Sequence, residues 1–534
     1  MTDLEIPFKE DRSRLYRFFE ILPGLVTWTM LFLPFILSLI NVTLAAFFIL
    51  AYILIVFVRT IGVDARAIQG YRTMRQHERI NWNELLEELQ TGEAKGKHHP
   101  KWHYRNVQRL AKHPPMVRPD EVVHAVMVAT YKEAREVLEP TIKAVAESAY
   151  DMKKVILVIA YEGRAGIETE QRVKDLVAEY KGQFRHAMAV KHPADIPGEI
   201  IGKGGNVTYA GRELQKYLEK EHIDPTRVPV TTLDADNRPH KQYLAALSYL
   251  YVAAPDPVHA SFQPLPMYTN NIWDAPAPMR VVATGNSFFY IVLTQRPHMQ
   301  RNFSSHAQSM RALIETDFWS VRTIVEDGHQ FWRSYFRFEG DYRVYPLSVP
   351  IYQDAVLADG YVRTLKAQFI QLRRWTYGAS DIAYIATKGF FTKNKIPKWD
   401  LTTKFLRAFE GHVTWAVGPL LLAFSGFIPL LFNPQNYAAN ELPILVSRIQ
   451  TVGLIGGLLS LFVCLRTLPP RPLRYKRHRT IFMVLQWIYL PLTTIVYGAL
   501  AALYSQTRLM LGLYLDKFDI TEKAVITETG ETKI

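Results

Sequence analysis

Five apolar runs divide the chain into two membrane-like blocks with a long polar block between them. Ile21 to Ile40 and Val42 to Val58 carry no charged side chain and meet at Asn41. Each is close to the roughly 20 apolar residues needed to cross a bilayer. They read as a transmembrane hairpin with both ends on the cytoplasmic side, because "KEDRSRLYR" precedes it and Arg59 and Arg66 follow it. A second span follows at once and no small-residue cleavage site is evident, which argues against a signal peptide. Three runs come late: Val413 to Phe432, Ile444 to Leu465 and Ile481 to Tyr504. The loop "RTLPPRPLRYKRHR" is heavily basic and is assigned to the cytoplasm, whereas "NPQNYAANELP" has neither Lys nor Arg and is assigned outside. The expectation is a multi-pass protein of the plasma or inner membrane with its polar block in the cytoplasm.

Between the apolar blocks the periodicity changes. "VDARAIQGYRTMRQHERINWNELLEELQ" is polar and helical in pattern, and "GKHHPKWHYRNVQRLAKHPPMVRPD" reads as a basic linker. "VVHAVMVATY", "KKVILVIAYEG" and "VPVTTLDAD" read as buried strands, alternating with "KEAREVLEPTIKAVAES" and "TEQRVKDLVAEYKG" as helices. Such alternation predicts an α/β domain with a mainly parallel sheet covered on both faces. Ligands of such sheets sit beyond the carboxyl ends of the strands. "ATYKE", "AYEG" and "DAD" are all at such ends and are therefore expected to face one crevice.

Composition narrows the classes. In 534 residues, 49% are hydrophobic and 21% charged, which fits apolar segments joined to an ordinary globular domain. The net charge of +13 suits loops beside an anionic leaflet, and the basic residues gather near the apolar runs, so no nucleic-acid partner is expected. The single cysteine, Cys464, sits in an apolar run and excludes disulfides and cysteine-based zinc sites.

Four short motifs carry candidate chemistry. Asp234 and Asp236, in "LDAD", repel one another unless a cation lies between them, and Mg²⁺ or Mn²⁺ with a substrate phosphate is the natural bridge. Glu326 and Asp327, in "TIVEDGH", can supply a general base, although a solvated acidic turn has the same pattern. "QLRRW" (Gln371 to Trp375) ends an amphipathic helix, where an indole can stack on a sugar and a guanidinium can meet a diphosphate. An interfacial tryptophan with basic neighbours is the plainer alternative. "GKGGN" (Gly202 to Asn206) places a lysine in what reads as a flexible loop, without the Walker spacing.

The order of these motifs between apolar segments resembles membrane-embedded family 2 glycosyltransferases, including cellulose, chitin and hyaluronan synthases. The resemblance covers about three quarters of the chain and implies a GT-A (Rossmann-like) cytoplasmic domain with flanking transmembrane helices. It implies that Asp234 and Asp236 hold the metal on a nucleotide-sugar diphosphate. It gives Asp327 the role of general base beside Glu326, and gives Gln371, Arg374 and Trp375 the acceptor and diphosphate. "ATYKE" looks like the family's nucleotide-binding segment, which points to Thr130, Tyr131 and Glu133, and "GKGGN" points to Lys203 and Asn206. "ATGNSFFY" looks like its glycine-containing acceptor strand, with Gly285 and Asn286. "FDITEK" resembles a gating loop, with Phe518, Thr521 and Lys523 near the nucleotide.

One departure concerns the base: where the family has D-D-G, this chain reads "AYEG", with Glu162 as the nearest acceptor for a uracil imide and Tyr161 in place of the other acid. Another concerns topology. Three full late spans would put the tail outside, so Pro491 is taken to make the last run re-entrant or interfacial, with the tail inside. The expected organisation is a hairpin at 1–61, a juxtamembrane region at 62–120 and a transferase domain at 121–365. Interface helices follow at 366–404, a membrane region at 405–506 and a tail at 507–534. The expected function is inverting, metal-dependent transfer from a nucleotide sugar, UDP-linked, to build and translocate a β-linked polysaccharide. Transfer of one sugar to a membrane lipid is the alternative, and a transporter or receptor is a distant third.

Overall fold

The computed structural model describes residues 4–96, 98–516, 523–526 and 532–533. Its centre is one eight-stranded sheet in the order β3-β2-β1-β4-β7-β6-β8-β5. The strands are β1 His124–Thr130, β2 Val155–Glu162, β3 His186–His192, β4 Pro229–Asp234, β5 Arg238–Pro239, β6 Ala260–Tyr268, β7 Ala307–Ser309 and β8 Arg343–Gln353. The half containing β3, β2, β1 and β4 is parallel, as the alternation of strands and helices predicts. The other half is mixed: short β7 runs antiparallel to both β4 and β6, β8 is parallel to β6, and β5 closes the edge antiparallel.

Burial on both faces explains the continuous apolar strands. Val126, Val128, Leu157 and Ile159 join one core cluster, with residues of helices Arg135–Ala146, Ile167–Tyr180 and Tyr243–Ala253. Their neighbours Ala125, Met127, Ile156 and Val158 face the other way, onto helices Lys203–Lys220 and Met310–Glu315. Successive strand residues point to opposite faces, so each face receives every second side chain.

Three local expectations are corrected. The basic linker contains helix Lys101–Lys112, which buries His103, Val107 and Leu110 at helical spacing. "GKGGN" is not a loop but the start of helix Lys203–Lys220. A side chain on Gly204 would strike the carbonyl of Ser320, so close packing against a neighbouring segment, rather than flexibility, explains that glycine. "ATGNSFFY" lies in helix Ala277–Thr294, not in a strand: Met279, Ala283, Ser287 and Ile291 are buried four residues apart, the helical repeat.

Among the described residues, five helices are long and apolar enough to cross a membrane. Four run alternately up and down: Arg14–Ile40, Val42–His77, Lys398–Phe432 and Tyr437–Thr467. Asn433 donates to the carbonyl of Ser38 at one end of this bundle, and Arg75 to the carbonyl of Arg466 at the other. The fifth, Arg479–Met510, behaves differently. Near its start Arg479 donates to the carbonyl of Trp273, and Gln486 accepts from Arg280. At its end the carbonyls of Leu509 and Met510 accept from Arg17, close to where the N-terminal segment joins the soluble block through Glu5 and Arg333. Its start therefore rests on the polar block, while its end packs on the first apolar helix, where Thr27 donates to Gln506 and Trp28 to Thr507, and also touches Thr376 and Tyr377. Its 3-10 stretch at Gln486–Tyr489 and π stretch at Thr494–Leu500 interrupt regular α-geometry on either side of Pro491.

Candidate active site

Strands β1, β2 and β4 end side by side, so Thr130, Glu162 and Asp234 open into the same crevice. The crevice is part of a cavity of about 1050 Å³ that continues between the membrane helices to Gly418 and Leu422.

At its floor Lys203 bridges the two acidic motifs. Its Nζ lies 2.9 Å from Asp234 Oδ1, 3.2 Å from Asp327 Oδ2 and 4.0 Å from Glu326 Oε1. Burial alone would raise the Asp234 carboxyl, but Lys203 and Lys523, with a 2.7 Å hydrogen bond donated by Ser304, hold it well below the ordinary carboxylate range. Glu326 goes the other way: burial, then repulsion from Asp327, push it up to about 8 against the pull of Lys203. Glu326 is thus neutral at pH 7, and Asp327 is the more accessible of the two acids. A buried acid raised in this way is typical of acid–base sites. His306, fully buried, has Nδ1 3.9 Å from Asp327 and donates it to the carbonyl of Phe303.

Asp236 forms a second centre with a residue that the sequence reading missed. Its Oδ2 accepts from the backbone N–H of Asp354, 3.2 Å away, and its Oδ1 meets Lys523 Nζ at 2.8 Å. Burial and the nearby Asp236 raise Asp354 to about 7, and its buried Oδ1 has no partner among the described residues. An orphaned carboxylate oxygen beside a second carboxylate is a donor set that suits a hard divalent cation, so Mg²⁺ or Mn²⁺ fits Asp236 and Asp354, with Asp234 adjacent. Asp354 was legible in principle: "YPLSVPIYQD" ends an apolar strand on an acid, as "VTTLD" does.

The corner nearest β2 is already organised. His192 places Nδ1 3.0 Å from Glu162 and Nε2 2.9 Å from Glu199, while Arg164 approaches the other oxygen of Glu162 at 3.3 Å. Burial alone would lower the imidazole, yet the two carboxylates raise it to about 9, so it is cationic at pH 7. Arg164 also covers the Tyr131 ring. Glu133 accepts from the Thr130 hydroxyl and the Tyr131 N–H, fixing that turn. Asn206 donates to the carbonyl of Ala160 at 3.1 Å and leaves its buried Oδ1 without a partner among the described residues.

Gln371, Arg374 and Trp375 line the same cavity from helix Tyr361–Thr376, with Trp375 6.0 Å from the Tyr268 ring. Asn286 also lines it; Gly285 does not. Lys523 reaches Asp236 because the tail bridges to Leu357. Phe518 and Thr521 lie outside the described residues.

No protein-family model matches the chain and no curated protein matches it. Among solved structures it is similar to the mannosyltransferase PcManGT from Pyrobaculum calidifontis in complex with GDP-Man and Mn²⁺. The identity is 17% with TM-score 0.41, covering 75% of this chain and 97% of that one. It is also similar to S. aureus TarS 1-349 in complex with UDP-GlcNAc, at 12% identity and TM-score 0.37, covering 77% of this chain and 96% of that one.

Proposed function

We propose that the chain is an inverting glycosyltransferase of the membrane-embedded family 2 type. In this reading it takes a sugar from a UDP-linked donor, extends a β-linked glycan, and passes the product between its membrane helices. What supports this most is a single cavity in which strand-end carboxylates, the adjacent acids Glu326 and Asp327 and Trp375 line a path that continues into the apolar helices. The acceptor hydroxyl oxygen attacks the anomeric carbon from the face opposite the diphosphate. Its proton passes to Asp327, the bond to the diphosphate breaks, and the nucleoside diphosphate departs. Asp236 and Asp354, with Asp234 adjacent, would hold a divalent cation, which would supply positive charge against the leaving diphosphate. Lys203 keeps Asp234 ionised and bridges it to Asp327 at the floor, and Trp375 offers a face for the acceptor sugar. Glu162, with Arg164 and Tyr131, forms the wall on which the base is read; an imide N–H there has to compete with His192 and Arg164 for the carboxylate.

Transfer of one sugar to a membrane lipid is the second reading, favoured by the apolar residues at the far end of the cavity. The test uses purified protein in lipid nanodiscs with a panel of UDP- and GDP-sugars and Mg²⁺ or Mn²⁺, scoring diphosphate release and product size. High-molecular-weight product from one donor supports the polymer, and a lipid-sized product the alternative. Asp327→Asn should lower transfer by about 10²–10⁴-fold while donor binding persists. Normal turnover in that variant removes Asp327 from its role, and donor binding without any turnover in the wild type favours the receptor reading.

A further inference from the structure

The membrane-side end of the cavity is cationic in a way that glycosyl transfer does not require. Arg59, Arg296, Arg301 and Arg407 line it together with Val56, Trp415, Gly418, Pro419 and Leu422. Among the described residues Arg59 is the one of the four with an acid partner within ion-pair distance, Glu410. Among the described residues Arg296, Arg301 and Arg407 form no ion pair. Arg296 donates only to the sulfur of Met299, and Arg301 lies over the Trp332 ring, 5.1 Å from its centre. Asp381, the other acid on this wall, lies 2.8 Å from His329 Nδ1 and offsets part of the burial of Arg301, and Asp400 is influenced by Arg407, each from beyond ion-pair distance. Burial lowers Arg296, and Arg66 and Arg59 lower it further, the sign of cations crowded together. His298, beside Arg407, Arg296 and Arg66, is lowered in the same way.

Guanidiniums that share a cavity wall with apolar helix residues match a ligand that carries its own charge next to a hydrocarbon chain. We propose that this end of the cavity binds the phosphate of a lipid-linked acceptor, with its chain along Val56, Gly418 and Leu422 and its sugar directed to Asp327. The proposal rests on the glycosyl-transfer reading for the role of the sugar, and names the acceptor class that reading leaves open. The phosphate takes no part in bond making: the attacking group is still a sugar hydroxyl, whose proton goes to Asp327 as the donor diphosphate leaves. Guanidinium forks hold phosphate oxygens in pairs and are weakly hydrated, which suits a site at the edge of a bilayer. A polar glycan alone would leave these arginines uncompensated in a partly dry cavity, which is costly.

The experiment measures binding of radiolabelled dodecyl phosphate to the full-length protein in phosphatidylcholine nanodiscs, corrected with empty discs. Saturable binding is expected, with dodecanol and phosphatidylglycerol failing to compete at equal concentration. Arg296→Gln with Arg407→Gln should weaken binding at least tenfold, and the paired lysine substitutions should retain it within about threefold. Thermal unfolding of both pairs shows that the comparison is between folded proteins. Wild-type affinity in the glutamine pair, or equal competition by dodecanol, overturns the proposal. Equal competition by phosphatidylglycerol also overturns it, and makes the cluster a contact for ordinary headgroups. Donor turnover is scored separately in the wild type with Mn²⁺. Its absence would count against glycosyl transfer, while the dodecyl phosphate result decides the phosphate site by itself.

Discussion

Two substitutions test the charge arrangement of single residues. His192 is held cationic by Glu162 and Glu199, and its raised value implies stability that is complete below about pH 6.5 and is lost as pH rises through about 9. His192→Gln removes the cation between the two carboxylates, leaving Arg164 on Glu162 alone, and should cost about 3 kcal/mol at pH 6 by denaturant unfolding. The difference from wild type should shrink toward pH 9.5; a constant difference would show that the imidazole acts by packing alone. At the second centre, Asp354→Asn should weaken Mn²⁺ binding, followed by electron paramagnetic resonance, by about tenfold or more, because it halves the charge offered with Asp236. Unchanged Mn²⁺ affinity would exclude Asp354 from the ligands.

At the scale of elements, close approach of helices decides which glycines matter. A side chain on Gly70 would meet the carbonyl of Ile291, so Gly70→Ala should push helices Val42–His77 and Ala277–Thr294 apart and cost about 1–3 kcal/mol. Gly285, in the latter helix, has no atom within 4 Å of where its side chain would be, so Gly285→Ala should be neutral or stabilise by up to about 1 kcal/mol. Thermal unfolding of both variants separates the two cases. The same contrast explains the misplaced strand. "ATGNSFFY" has the β-favouring Phe and Tyr of a strand, and only the burial of every fourth residue upstream and downstream identifies the helix.

The placement of the last apolar helix sets how the whole molecule sits in a bilayer. Its 32 residues span about 48 Å, with its start bonded to Trp273 and its later part to Thr376 and to Arg17 of the first apolar helix. We propose that four helices cross and that the tail returns to the side of the polar block, where Lys523 meets Asp236. With Cys464 replaced by Ala, a membrane-impermeant maleimide should label Asn440→Cys from outside intact cells, and Leu513→Cys only after permeabilisation. Outside labelling of Leu513→Cys would mean that the fifth helix crosses.

The sequence by itself determined the elements whose signal is local. Apolar runs long enough to span needed only length and composition, and β1, β2 and β4 needed only continuous burial between turn-forming residues. Asp234, Asp236, Glu326 and Asp327 could be singled out because carboxylates at strand ends or in pairs are unusual without a purpose. The tertiary structure decided which of these share a charge. Lys203 joins Asp234 to Asp327 across a gap of 93 residues, and Asp354 reaches Asp236 from the end of β8, a pairing that the apolar pattern of that strand does not specify. The direction of the last helix was also beyond the sequence, since hydropathy measures how apolar a segment is and not what its two ends are bonded to.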